Sequence, residues 1–284
     1  MTGRGKDEMQ ISEAELRAMT SQMVDMHEET FPVMQSSLAD LGSSLRTRAA
    51  ALGGSAPSRR GFLAAGGAVV GGFLLAACSS GSSGSTSNGG APSGTPSTGA
   101  GTSSPPASAS GGSDNAALAT NASLENLAVF AYGASLKAAP MGKFGKSVPP
   151  AVAEFATHAM KQHQDHADAF NAALTNAGGM AFTMPDPALA PTVIKLFGKV
   201  NSVPGLAMLA LTLENTAAAT YTKQMGELMS PAALSAVATI APVERQHAAI
   251  LSFVLGDYPV PDTFVKLDAT KTSLGARPST DAGG

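Results

Sequence analysis

The pattern L-E-N-x-A-x-x-x-Y occurs twice in this chain, and that repetition limits what the chain can fold into. It runs through Leu124, Glu125, Asn126, Ala128 and Tyr132, and again through Leu213, Glu214, Asn215, Ala217 and Tyr221. Each copy is followed by an apolar segment that opens on a proline, Pro150 or Pro231, and carries two potential ligands one helical turn apart. These pairs are His163 with His166 and Glu244 with His247, and His166 stands as far beyond Pro150 as His247 stands beyond Pro231. A helical hairpin written twice, each copy offering one carboxylate and an (i, i+3) ligand pair, is a way for a four-helix bundle to build a two-metal site.

Helix start and stop signals agree with that reading. Four helices are predicted, from Asn115 to Lys137, Val148 to Asn176, Pro204 to Leu228 and Pro231 to Leu255. Pro149, Pro150, Pro204 and Pro231 fall in first turns, where a missing N–H costs little. Gly178-Gly179 and Gly256 suit the left-handed residue that closes a helix. Short links make the first two helices, and the last two, antiparallel neighbours. A long link joins the second to the third, with room for a small helix from Leu189 to Val200. The expected fold is all-α, an antiparallel four-helix bundle with one long crossover.

Helical spacing places Ala122, Ala128, Val129 and Tyr132 around Glu125, and Ala210, Leu211, Ala217, Ala218 and Tyr221 around Glu214. Both carboxylates thus lie within apolar stripes, where an unpaired charge costs several kcal/mol. No Lys or Arg stands one turn away on either helix, so a divalent cation is the economical partner. The bland alternative is a set of solvated polar residues, and Lys161, Gln162, Gln164, Asp165 and Asp168 do crowd the His163 segment. His158 is rotated away from the other two and reads as a surface residue. His27 lies far to the N-terminal side and is assigned no role.

Single glutamates on the first and third helices, with Glu244-x-x-His247 on the fourth, resemble the ferritin-like di-iron carboxylate family from Asn115 to Leu255. The resemblance implies a metal set of Glu125, His163, His166, Glu214, Glu244 and His247. Glu125 and His166 would serve one ion, Glu214 and His247 the other, and Glu244 would bridge. Tyr132 and Tyr221 sit two turns beyond their glutamates; interior packing is the expected role, with electron relay or a hydrogen bond to a ligand carboxylate as the functional alternatives. The chain departs from the family at His163, where a second bridging glutamate is expected. Imidazole cannot bridge as a carboxylate does, so the two ions should bind unequally. Iron, as a pair, is the implied cofactor, with zinc, manganese or copper as alternatives suited to imidazole.

The sole cysteine, Cys78, excludes an internal disulfide framework and any thiolate metal cluster. It closes Leu75-Ala76-Ala77-Cys78, which resembles a bacterial lipobox, behind a weakly apolar run from Gly61 to Ala77. Ser58-Arg59-Arg60-Gly61-Phe62-Leu63 resembles a twin-arginine export signal. Both resemblances imply a lipoprotein exported by the twin-arginine machinery to the extracytoplasmic face of a bacterial cell membrane. An uncleaved signal helix is the alternative anchor. Net charge of -3 and 14% charged residues argue against a nucleic-acid partner. A homodimer is compatible with the pattern.

The domain map that follows is an N-terminal extension (1–57), a signal with lipobox (58–78), a Ser/Gly/Pro-rich tether (79–113), the bundle (114–258) and a C-terminal tail (259–284). In the extension, Ser12 with Glu15 forms a capping box, and Leu16, Met19, Met23 and Met26 share a helical face. Met34, Leu38, Leu41 and Leu45 suggest a second helix after Pro32, giving a hairpin that needs a partner, unless translation starts at a later methionine such as Met34. The functional expectation is a bundle holding one or two transition-metal ions, with ferroxidase or oxygen- and peroxide-handling activity. The alternatives are a metal-binding or stress-protective bundle without turnover and a structural envelope protein.

Overall fold

The computed structural model describes residues 8–51, 110–260 and 264–278. Among these, six α-helices appear: α1 (Glu13–Ala51), α2 (Ser110–Ala138), α3 (Pro150–Asn176), α4 (Ala190–Lys199), α5 (Val203–Gln224) and α6 (Pro231–Leu255). The hairpin α2–α3 and the hairpin α5–α6 form the bundle, with α2 against α5. The short α4 rides on the crossover between them and touches α5. Prolines stand at the first positions of α3, α5 and α6 as expected, and Ser202 caps α5 by accepting from the Gly205 amide at 3.2 Å. Gly256, at φ 77°, takes the left-handed turn that ends α6. α6 runs unbroken through Pro242.

The N-terminal extension departs from the expected hairpin. It is one helix of 39 residues that continues through Pro32. Pro32 is exposed, so the carbonyl its ring leaves unpaired can be hydrated at the surface. Packing holds the two halves in line: Leu16, Met23, His27, Met34, Leu38, Leu41 and Leu45 form a buried stripe against α3 and α6. α1 runs parallel to α3. Glu13 and Arg17 meet the Ala151 amide and Glu154 at its start, and Arg46 donates to the Asn176 carbonyl at its end. It runs antiparallel to α6, joined by the Gln10 amide to the Val254 carbonyl and by Ser37 to Ser235. The partner the extension requires is therefore the bundle itself.

At Gly42, α1 approaches α3 so closely that a Cβ would lie 2.6 Å from Asn176 Cβ and 2.9 Å from the Ala173 carbonyl oxygen. In an exposed helix Gly→Ala stabilises by roughly 1 kcal/mol. Gly42→Ala should reverse that sign and destabilise by about 1–3 kcal/mol through overpacking. Chemical denaturation of the full chain measures it, and a stabilised variant would show that α1 does not dock here.

Two apolar clusters fill the bundle. One joins Leu38 and Leu41 of α1 to Leu118, Phe170, Leu174, Tyr221 and Ile240. The other joins Leu16 and Met23 to Ala128, Phe155, Leu211 and Leu251. On each of the five long helices the clusters leave a gap, and the buried polar residues occupy it: His27, Glu125, His163 with His166, Glu214, and Glu244 with His247. A third cluster, with Leu124, Leu127, Leu213, Leu189, Val193 and Leu274, seals the α2–α5 side beneath the crossover and the C-terminal segment.

The motif asparagines explain that seal. Asn126 donates to the Phe182 carbonyl at 2.8 Å, pinning the segment that leaves the first hairpin. Asn215 donates to the Thr272 carbonyl at 2.9 Å, pinning the segment that leaves the second. The C-terminal tail thus folds back along α5, where the Leu274 and Arg277 amides donate to the hydroxyls of Thr216 and Thr220.

Candidate metal centre

Glu125 from α2, His163 and His166 from α3, Glu214 from α5, and Glu244 and His247 from α6 converge in the gap between the two apolar clusters. All six are buried, at 0–1% exposure. They form two overlapping groups whose ligand atoms lie within 4.8 Å of one another: Glu125, His163, His166 and Glu244, and His163, Glu214, Glu244 and His247. Glu244 and His163 belong to both groups. The (i, i+3) spacing on α3 and α6 aims each pair at one inward point, and the solvated face of α3 is elsewhere. There Lys161 pairs with Asp165, and Gln164 with Asp168.

His163 lies between the two motif glutamates, with Nδ1 2.7 Å from Glu125 Oε2 and Nε2 3.4 Å from Glu214 Oε1. His166 turns Nδ1 inward, 3.5 Å from Glu125 and 3.6 Å from Glu244. His247 does the same, with Nδ1 3.3 Å from Glu214 and 3.7 Å from Glu244. Both oxygens of Glu244, and Nδ1 of His166, are buried without a hydrogen-bond partner. A carboxylate withdrawn from water with neither oxygen hydrogen-bonded is costly unless a cation balances it. The Glu244 oxygens are acceptor atoms belonging to both ligand groups, and they fit a metal ion.

The tyrosines act across the repeat. Tyr132 donates to Glu214 Oε1 at 2.5 Å, and Tyr221 donates to Glu125 Oε1, so each motif tyrosine holds the other motif's glutamate. Tyr132 also stacks over His163, with ring centroids 5.7 Å apart. Burial raises both phenols well above their ordinary value, and the adjacent glutamate charges add to that, so both hydroxyls keep their protons and remain donors.

Charge within the cluster is internally balanced. Burial opposes ionisation of Glu125, but hydrogen bonding to His163 and His166 outweighs it and lowers the carboxyl to about 2. Glu214 is held well below the carboxylate range despite burial, by His163 and His247. Burial would strip the histidine protons, yet the Glu214 and Glu244 charges push His163 well up, and Glu125 and Glu244 raise His166. Glu214 lifts His247 to about 9 against the same burial. Without metal, three protonated imidazoles stand where cations would.

Two participants have no signal in the repeat. His27 of α1 is buried with Nε2 3.2 Å from Nε2 of His166, and it stacks on Phe31 at 4.9 Å. Burial and the neighbouring His166 lower it to about 4. Gln162, buried next to His163, accepts from or faces His247 Nε2 through Oε1 at 2.7 Å and donates to the Met23 carbonyl of α1 at 3.3 Å. Sequence spacing assigned His27 no role because the contact joins helices far apart in the chain. His158 lies outside both ligand groups. Arg59, Arg60 and Cys78 lie outside the described residues, and no helix among those described is long and apolar enough to cross a membrane.

A cavity of about 10 Å³, lined by Glu125, His163, Glu214, Ala128, Ala217 and Leu189 among others, adjoins the cluster on the α2–α5 side. That is room for about one water. Residues 113–257, just over half of the chain, match the family described as the ferritin-like domain. No curated protein and no solved structure matches.

Proposed function

The chain belongs to the ferritin-like family, and from the donor set that it buries we propose that it binds one or two transition-metal ions between its two hairpins. The carrying observation is Glu244, common to both ligand groups, with neither oxygen hydrogen-bonded. Glu125, His166 and Glu244 would hold one ion, and Glu214, His247 and Glu244 the other, with His163 adding its single lone pair to one of them. Three carboxylates and three imidazoles, with no thiolate, suit ferrous iron, manganese or zinc, and iron is the ion we propose. Such an iron pair would supply electrons to dioxygen or peroxide. A cavity the size of one water beside the donors suits a reactant of that size.

A metal-binding bundle without turnover is the second reading, favoured by His163 in place of a fourth carboxylate. Protein purified without added metal should contain iron or zinc, and calorimetric titration of the stripped protein should fill two sites in separate steps. Oxygen uptake on adding ferrous iron separates the redox reading from the second. Absence of binding would return the cluster to a structural role.

Export and anchoring through Cys78 form part of this proposal and rest on the twin-arginine and lipobox resemblances alone. α1 precedes that segment and packs on the bundle, so the docked arrangement is that of the precursor, folded before export. Cleavage ahead of Cys78 would sever α1's covalent link to the bundle.

A further inference from the structure

We propose that α1 is part of the metal centre: a single turn of it, Met23 to His27, positions both terminal histidine ligands, His166 through His27 and His247 through Gln162. The inference rests on the metal-binding reading above. His166 and His247 turn the same atom, Nδ1, toward the carboxylates, so each has Nε2 directed outward. A histidine that gives the Nδ1 lone pair to a metal must carry its proton on Nε2, and that N–H needs an acceptor in a buried site. His27 Nε2 lies 3.2 Å from Nε2 of His166, and Gln162 Oε1 lies 2.7 Å from Nε2 of His247.

The two acceptors have a common base. Gln162 must present oxygen, not its NH2, to His247, and its orientation is fixed because Nε2 donates to the Met23 carbonyl. Met23 and His27 are one turn apart on α1. His27 is held in place by stacking on Phe31. The bundle's internal repeat supplies the ligands twice, but it does not supply these acceptors twice. A single non-repeated helix wedged between α3 and α6 serves both halves.

The expected behaviour is selective. Removing an acceptor leaves its histidine free to turn or to change tautomer, which lowers metal affinity about 10–100-fold. His27→Leu should weaken only the site of Glu125 and His166, and Gln162→Leu only that of Glu214 and His247. His27→Gln, whose amide oxygen can accept, should recover most of the first loss. The full chain is titrated with cobalt(II), following binding by visible absorption and the exchangeable imidazole N–H lines by paramagnetic NMR. In wild type, three solvent-protected N–H lines are expected, one of them from His163, whose free ring nitrogen faces a carboxylate. His27→Leu should lose the protection of one, Gln162→Leu that of a second, and the His163 line should persist in both.

A general packing role would instead weaken both sites together, in step with the melting temperature and without rescue by glutamine, and that result overturns the proposal. So does wild-type cobalt binding that neither variant alters. Failure of the wild type to bind cobalt at all would overturn the metal-binding reading, and this inference with it.

Discussion

Replacing Glu244 by glutamine is expected to abolish metal binding in both halves of the centre while the bundle still folds. Glu244 is the carboxylate common to both ligand groups, and its two oxygens face different histidines, Oε1 toward His166 and Oε2 toward His247. Since neither oxygen accepts a hydrogen bond, the isosteric amide forfeits none. What it removes is the one negative charge placed to face both ions. Losing a supporting group alone weakens a site about 10–100-fold, so losing this ligand should weaken each site by at least about 100-fold. Glu125→Gln provides the contrast, because Glu125 belongs to one group only. Its loss should reduce the stoichiometry from two ions to one. Calorimetric titration with zinc, alongside the melting curve of the metal-free variants, reads both results. Two ions retained by Glu244→Gln, or one lost and one unchanged, would refute a shared carboxylate.

Metal-free and metal-loaded protein should respond to alkaline pH in opposite directions. In the metal-free fold His247 titrates at about 9, above its ordinary 6.5, and His163 and His166 are raised as well. A group raised on folding stabilises fully below its unfolded value, so this contribution is complete below 6.5 and is lost as the pH climbs through 9. Glu125, lowered from 4.5 to about 2, contributes above 4.5 and is lost as the pH falls through 2. His27, lowered from 6.5 to about 4, contributes above 6.5 and is lost as the pH falls through 4, so the metal-free melting temperature should peak near 6.5 and fall both toward 9 and toward 4.

A metal ion competes with the protons on the same histidines, so its affinity and its stabilising effect should grow over the alkaline range in which the metal-free protein weakens. With free zinc at about a thousand times Kd, the gain is about 4 kcal/mol, or roughly 8–16 °C for a domain of this size. Differential scanning calorimetry from pH 5 to about 9, with and without zinc, tests this. Parallel curves would mean that the histidines are not the metal's ligands.

The repeat in the sequence carried much of this architecture. Proline-started helices, glycine stops and the duplicated L-E-N-x-A-x-x-x-Y pattern located the hairpins and the crossover helix to within a few residues, because helix ends and helical faces are short-range properties. The same local periodicity marked Glu125 and Glu214 as acidic residues in apolar stripes, and His163, His166, Glu244 and His247 as paired. Three features were decided only by tertiary structure. Pro32 reads locally as a helix boundary, yet continuous burial of α1 against α3 and α6 outweighs one lost backbone hydrogen bond. The tyrosine hydroxyls hold the glutamates of the opposite motif, a crossing that no spacing along either helix encodes. His27 and Gln162 take their part in the site from contacts with residues on other helices. Periodicity shows which face of a helix is buried, but the partner that face meets is fixed only when the helices pack.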